Sequence, residues 1–422
     1  MIAGLAGSTV FLWAGDAVSF DEVVLEEATP VEEGGERNFC DAYRNIGKLY
    51  SNDDNPFIQS FTLVNRIHAS YGYVSGETAS GVDFDYDTTE VRRFRPGAKA
   101  KVFRYFELKG QAEIYPDRHP VGGDRGFEFR HMWDLFAKFD VKKAFGVDGL
   151  DALKVGYGKR ETHTSYEWDT SSNKLKTVER SGISNKVWLS TTEFSNPSGA
   201  WFELEKDAVR VEAGIFTTTQ DDFVPGWDDG QMYWGNVWWD VSEWTGADIS
   251  QLYLTGFYQD VEPGEITLAS GVEWASSLSF KYGQGRWTAV VEGILGDNGD
   301  QSAGRDGGFW GFVFLPSLWL VEDKLEAVFR YQYQGSEEAS GIRLNSRYVR
   351  RADTIESRAA GASSLINSGR GDEHHAYYLG LKYHLCKHNA HFLAGVEYDH
   401  LSSQGTRIYD GWTTFLGFRT YF

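Results

Sequence analysis

GWTTFLGFRTYF, residues 411–422, sorts its side chains into two files. Trp412, Thr414, Leu416, Phe418, Thr420 and Phe422 alternate with Thr413, Phe415, Gly417, Arg419 and Tyr421, the period of two that a β-strand imposes. One file is largely apolar, aromatic residues stand near both ends, and the chain stops on phenylalanine. A lone alternating strand fits any half-buried sheet, so the weight of this one comes from recurrence.

The same alternation runs back to residue 58. Strands are expected near 58–74, 86–103, 105–117, 128–141, 150–160, 197–205, 208–218, 230–241, 249–261, 267–282, 285–296, 306–319, 323–335, 373–386, 389–402 and 411–422. That count, sixteen, is even, as single-chain bacterial barrels require. Connections alternate in length. Lys206-Asp207, Gly283-Gln284, Val321-Glu322-Asp323 and the segment around Lys387 are short; 161–196, 219–229, 297–305 and 336–372 are long. Membrane barrels sort their connections this way, with turns in the periplasm and loops outside, whereas a soluble sandwich has no reason to. The reading is all-β: a 16-stranded antiparallel transmembrane β-barrel with a short N-terminal helical periplasmic segment, located in the cell outer membrane. Both chain ends fall on the periplasmic side.

Composition agrees. No run of 18 or more apolar residues occurs, which rules out a helical membrane span. A mean hydropathy of -0.42 suits a barrel whose lipid face uses only alternate residues. The net charge of -20 argues against nucleic-acid partners. Residues 16–36 hold eight Asp or Glu and no Lys or Arg, and read as a solvated lead-in. Residues 2–14 resemble the apolar core of a secretory signal without its basic n-region, so 1–17 is either a signal remnant or no signal at all. The expected divisions are 1–17, an acidic linker with a short helix at 18–57, and the barrel at 58–422. Within 37–50, Cys40, Tyr43, Ile46, Leu49 and Tyr50 form one helical stripe.

The strand at 86–103 carries the sharpest functional signal. Arg93, Arg95, Lys99 and Lys101 share one face, opposite Phe94, Pro96, Ala98, Ala100 and Val102. A cation facing lipid costs about 2–4 kcal/mol at the midplane, so these four face the lumen. Residues 91–104 hold six basic residues and no acidic one, within a chain of 61 acids and 41 bases. A basic row along a pore favours anions. Alternatively, the row pairs with acids on the next strand such as Glu107 and Glu113, although Lys109 adds a cation there. Lys154, Arg160, Arg210 and Arg330 are further inward candidates, each separately better read as structural.

The longest loops, 161–196 and 336–372, are candidates for folding into the lumen. Acids at Asp221, Asp222, Asp228 and Asp229, and at Asp297, Asp300 and Asp306, have the oxygen chemistry of Ca²⁺ ligands, but full ligand spacing is lacking and exposed carboxylates are the simpler reading. No metal or cofactor is expected, and no nucleophile or phosphate-loop motif occurs. Cys40 and Cys386 both fall on the periplasmic side, where a disulfide persists, and are expected to join the helix to the rim.

Four stretches resemble the phosphate-selective porins O and P. EVRRFRPGAKAKVF at 90–103 is similar to that family's basic second strand. LKVGYGKRE at 153–161, then SSNKLKTVERSGISN at 171–185, looks like its strand running into a long constriction loop. AYYLGLKYHL at 376–385 with FLAGVEY at 392–398 resembles its penultimate hairpin, and FRTYF its closing strand. NFCDAYRNIGKLY stands outside the pattern. The resemblance implies a sixteen-stranded, trimeric, passive channel preferring anions such as phosphate. Arg92, Arg93 and Arg95 match the basic strand, and Lys174, Lys176 and Arg180 the loop. The net charge and a loop whose acids balance its bases depart from it.

The expected function is passive diffusion of small hydrophilic solutes, anions foremost, without catalysis, in contact with outer-membrane lipid. The alternatives are a weakly selective or sugar-accepting porin, an outer-membrane barrel enzyme using loop carboxylates or His374 and His375, and a secreted glycan-binding β protein.

Overall fold

The computed structural model describes residues 39–115, 128–189, 195–217, 223–224, 227, 230–260, 271–299, 304–344 and 346–422. The expected signal remnant and acidic lead-in, and Asp221, Asp222, Asp228, Asp229 and Asp300, lie outside the described residues.

Helix α1 (Phe39–Asn45) precedes twenty-one described strands. They are β1 (Lys48–Ser51), β2 (Ile58–Val64), β3 (Arg66–Thr78), β4 (Asp83–Phe94), β5 (Gly97–Val102), β6 (Phe106–Tyr115), β7 (Glu128–Asp140), β8 (Ala152–Lys159), β9 (Ser198–Lys206), β10 (Val209–Thr217), β11 (Gln231–Asp240), β12 (Ile249–Asp260), β13 (Trp274–Gln284), β14 (Trp287–Asp297), β15 (Gly308–Val321), β16 (Leu325–Ser336), β17 (Ile342–Arg343), β18 (Arg370–Gly371), β19 (Glu373–His384), β20 (Ala390–Ser403) and β21 (Thr406–Tyr421).

The wall contains sixteen strands, because two of them are each broken once. β2 and β3 form one strand interrupted at Asn65. β4 and β5 form another, interrupted where Pro96 cannot donate to the ladder. Reciprocal backbone bonds between Arg66 and Arg95, 3.2 and 2.9 Å, carry the pairing across both breaks. Each wall strand pairs antiparallel with its chain neighbours. β21 then pairs back onto β3, from Tyr409↔Thr78 to Tyr421↔Arg66. The ladder closes on itself, which satisfies the backbone without water, as a hydrocarbon surround demands.

Adjacent residues show the two faces. In β19 Tyr377 is 45% exposed and Leu379 60%, while Tyr378 between them is 2% exposed. Tyr233, Trp274, Tyr282, Trp287 and Tyr383 are exposed near strand ends, as an interfacial girdle requires. Most short connections lie at one end, including those at 207–208, 285–286 and 322–324, while 79–82 and 404–405 are short connections at the other. Two others there carry small helices, α2 (Val141–Phe145) and α5 (Ser242–Thr245). The long connections 160–197 and 337–372 leave from the opposite end.

The expected helical stripe at the N-terminus is corrected at its far end. Helix α1 stops at Asn45, and Leu49 and Tyr50 belong to β1 instead. β21 pairs no farther along this strand than Arg66 of β3, which leaves one edge of β2 without a wall neighbour. β1 fills that edge, with Lys48↔Thr62 and Ser51↔Ser60. Unpaired ladder groups outcompete one more turn of exposed helix. Cys40 in α1 is disulfide-bonded to Cys386 between β19 and β20, their Cα atoms 5.2 Å apart. Tyr43 bonds the Thr420 hydroxyl and meets the Phe422 ring edge-on at 6.2 Å.

Candidate functional site

The site is the lumen, and two loops shape it. Arg160 N–H to Pro197 O, 3.2 Å, closes the base of the first loop. The chain then turns through α3 (Tyr166–Asp169), capped by Ser165, and α4 (Gly182–Lys186), capped by Ser181. Glu167 and Arg180 staple the loop to itself. The Glu167 carboxylate accepts from Ser181 N–H at 2.7 Å, while Arg180 donates to the carbonyls of Glu167 (2.7 Å) and Thr170 (3.1 Å). The Arg180 guanidinium also lies 3.8 Å from the centroid of Trp168, itself stacked on Trp188 at 5.0 Å. Leu175, Val178, Ile183, Val187 and Leu189 are buried.

The inner wall holds this loop. Glu292 on β14 accepts from Tyr166 N–H at 2.6 Å, and Gln332 on β16 from Gly182 N–H at 2.5 Å. Lys176 reaches Glu326 at 2.6 Å, and Lys186 reaches Asn298 at 2.5 Å. Gly311 makes room for α4: a Cβ there would sit 2.4 Å from Ile183 Cγ1. Burial pushes Lys186 down to about 7, aided by Arg370 and opposed by Asp297.

The second loop, 337–372, covers β3 and β4. Its helix α6 (Arg347–Ala359) starts at the Ser346 cap. Arg347 and Arg351 converge on the Glu90 carboxylate at 3.1 and 2.8 Å. Tyr348 is fully buried against Phe415 and over Gly72, where an added Cβ would lie 2.5 Å from the tyrosine ring.

A β-bulge sets the arginines of β4. Ala69 faces Val91 while His68 faces Arg93, which leaves Arg92 as the extra residue. Strict alternation assigns only Arg93 and Arg95 inward here; the bulge turns Arg92 inward as well. Arg92 meets Glu179 of the first loop at 3.3 Å. Burial alone would raise Glu179, but Arg92, Arg347, Arg93 and Arg419 outweigh it and hold the carboxyl down at about 2. Arg93 donates to His68 Nδ1 at 3.1 Å, and His68 Nε2 lies 2.7 Å from Asn173 Oδ1 in the loop.

Farther along the wall, cations and acids interleave. Arg95 pairs with Glu113 and covers the Trp133 ring at 3.3 Å. Lys109 reaches Asp134 at 2.7 Å, Lys154 reaches Glu107 at 3.1 Å, and Lys138 reaches Glu203 at 2.8 Å. Arg160 lies 3.5 Å from Glu203 and 3.3 Å from Glu212, which also binds Arg210. In the ladder Lys101 stands opposite Glu107, and Lys99 opposite Lys109. Glu107 and Glu113 are thus both engaged by cations. Along β5, β6 and β8 the part-exposed inner charges are Lys99, Lys101, Lys109 and Lys154 against one carboxylate, Glu107.

Arg330 sits elsewhere, 1% exposed beneath the first loop, bound to Glu167 at 3.1 Å and Glu397 at 2.7 Å. Lys174 is part-exposed on the loop itself. Sequence reasoning did not single out Glu90, Glu179 or Arg419. Arg419 carried a usable signal, being the one charged residue in the closing strand and on its inward file. Among the described residues no group of three His, Cys, Asp or Glu is arranged to hold a metal ion. His374 and His375 point to opposite faces: His374 is buried between Asp399 and Gln334, and His375 bonds the Tyr331 hydroxyl at 2.9 Å.

No protein-family model and no curated protein matches the chain in sequence. Solved barrels do match its shape. Salmonella typhi OmpF, in complex with daunomycin, aligns over 89% of this chain and 100% of its own at TM-score 0.54 and 13% identity. An anion-selective porin from Comamonas acidovorans covers 86% and 99% at TM-score 0.53 and 12% identity. OmpT of Vibrio cholerae covers 86% and 98% at TM-score 0.51 and 12% identity. At such identities the likeness establishes the fold, the one that these outer-membrane barrels share.

Proposed function

We propose that this barrel is an outer-membrane diffusion pore for small hydrophilic solutes, favouring anions, phosphate among them. The observation that carries the reading is the contrast between its walls: leucine and aromatic side chains outside, and charged groups still open to water inside along β5, β6 and β8. A surplus of ammonium groups there lowers the barrier for anions and raises it for cations. The ion pairs moderate that bias, since each carboxylate cancels part of the field of its partner. The reading includes no catalysis and a homotrimeric assembly, the latter supported by the trimer form in which OmpT of Vibrio cholerae has been solved.

Reversal potential across a KCl gradient in planar bilayers tests the reading. Wild-type protein is expected to favour chloride, and replacing Lys99, Lys101, Lys109 and Lys154 together with Gln is expected to abolish that preference. Identical potentials for the two proteins would remove those lysines from the account. Competition of phosphate with chloride current tests the narrower substrate assignment.

A further inference from the structure

Three inner-wall cations face a stretch of loop that has no regular structure to satisfy its own backbone. Residues 170–181, between α3 and α4, form neither helix nor strand. Several of their carbonyls are buried against the inner wall, and irregular backbone inside a membrane barrel persists only if protein or water supplies its hydrogen bonds. Arg419 on β21 supplies bonds to four of these carbonyls. Its guanidinium donates to Ser172 O at 2.8 Å, Leu175 O at 3.5 Å, Thr177 O at 3.0 Å, and to Val178 O. The residue is 3% exposed. Lys382 on β19, fully buried, donates to Lys174 O at 3.3 Å and shares Leu175 O at 3.2 Å. Arg330 on β16 takes the next acceptors, Thr177 Oγ1 at 3.2 Å and Glu179 O at 2.8 Å.

We infer that Arg419, assisted by Lys382 and Arg330, is a positioning residue for the constriction: it grips the 172–179 backbone against the wall and so sets where Lys174, Lys176 and Glu179 stand in the lumen. These cations guide no solute, because their donors are taken up by loop carbonyls and, for Arg330, also by Glu167, Glu397 and the Thr177 hydroxyl. The side chains that the strap presents do the selecting, and Glu179 is held opposite Arg92 only while the strap stays seated. Charge-assisted bonds to four carbonyls are a strong clamp, and a fork of five N–H donors suits it better than one ammonium.

The test uses full-length protein with its native disulfide and a reporter cysteine, Val178→Cys, at a buried position. Alone, the reporter is expected to resist a water-soluble maleimide. Adding Arg419→Ala is expected to raise the labelling rate about tenfold or more, the factor for about 1.4 kcal/mol. Arg419→Lys should fall between. Lys382→Met, which removes one of the two donors at Leu175, is expected to give a smaller rise and serves should Arg419→Ala not assemble. Labelling at the wild-type rate in whichever of these variants fold would overturn the inference. This arm does not depend on the pore reading. A second arm does: in planar bilayers Arg419→Ala should show larger, noisier open-channel current and a changed reversal potential. A wild-type channel that conducts beside an unaltered Arg419→Ala channel refutes the positioning role, whereas a wild-type barrel that never conducts refutes the pore and leaves the labelling arm to decide the strap.

Discussion

Replacing Cys40 and Cys386 with Ser should loosen the barrel at its seam, where β21 meets β3. The bond spans 346 residues and ties the segment before the first wall strand to the turn between β19 and β20. It therefore closes covalently almost the whole circuit that the ladder closes by hydrogen bonding. In the chain-entropy relation a loop of that length corresponds to about 6 kcal/mol, more than the ~2–4 kcal/mol usually measured for disulfides. The measured range is the better guide, because an opened barrel in detergent or lipid keeps much of its structure. Helix α1 buries no side chain, and its ties include Tyr43 to Thr420 and Phe422 and Cys40 Sγ against Leu385 O. The expected result is two-tiered. Reduction or double substitution should expose residues 39–51 to protease at temperatures where the barrel is still folded. The temperature at which the folded band on an SDS gel converts to the unfolded one should also fall, by an amount equivalent to about 2–4 kcal/mol. An unchanged conversion temperature together with unchanged cleavage near residue 50 would refute the seam argument.

The loops offer three further tests. Gly311→Val should displace α4 from the wall, because its side chain occupies the space of Ile183; a cost of about 1–3 kcal/mol is expected, read as a lower conversion temperature. Glu90→Gln leaves Arg347 and Arg351 without their shared carboxylate, and trypsin should then cut within α6 faster than in wild type. Lys186 gives a pH signature. Burial lowers it to about 7 from an unfolded value near 10.5, so unfolded chain holds more protons between those limits. Its contribution makes stability rise with pH from about 7 to about 10.5, and Lys186→Met should flatten that slope in conversion temperatures measured across the window.

The strands were legible in the sequence from residue 58 onward because period-two alternation is local: each residue's face follows from its neighbour's. Pro96 within 86–103 fell inside one expected strand and divides it in fact, yet the wall count is unaffected because Arg66 and Arg95 bridge the break. The cationic row was legible in the same way. What its members touch was not. Arg95 on Glu113 and Trp133 and Arg92 on Glu179 are contacts between distant segments, and the bulge that turns Arg92 inward depends on the register of β3 against β4.

By itself the sequence determined the barrel: which residues face lipid, which connections are short, and that a basic row lies inside, since all three follow from spacing along the chain. Only the tertiary structure decided what the charges of that interior touch. Whether a lumenal arginine meets solute or a carbonyl depends on where a loop comes to rest, and Arg419 with Val178, 241 residues apart, is a pairing that no local period encodes. The cause is the closed ladder, which brings the first loop across to the last strand and lets buried backbone there claim its donors.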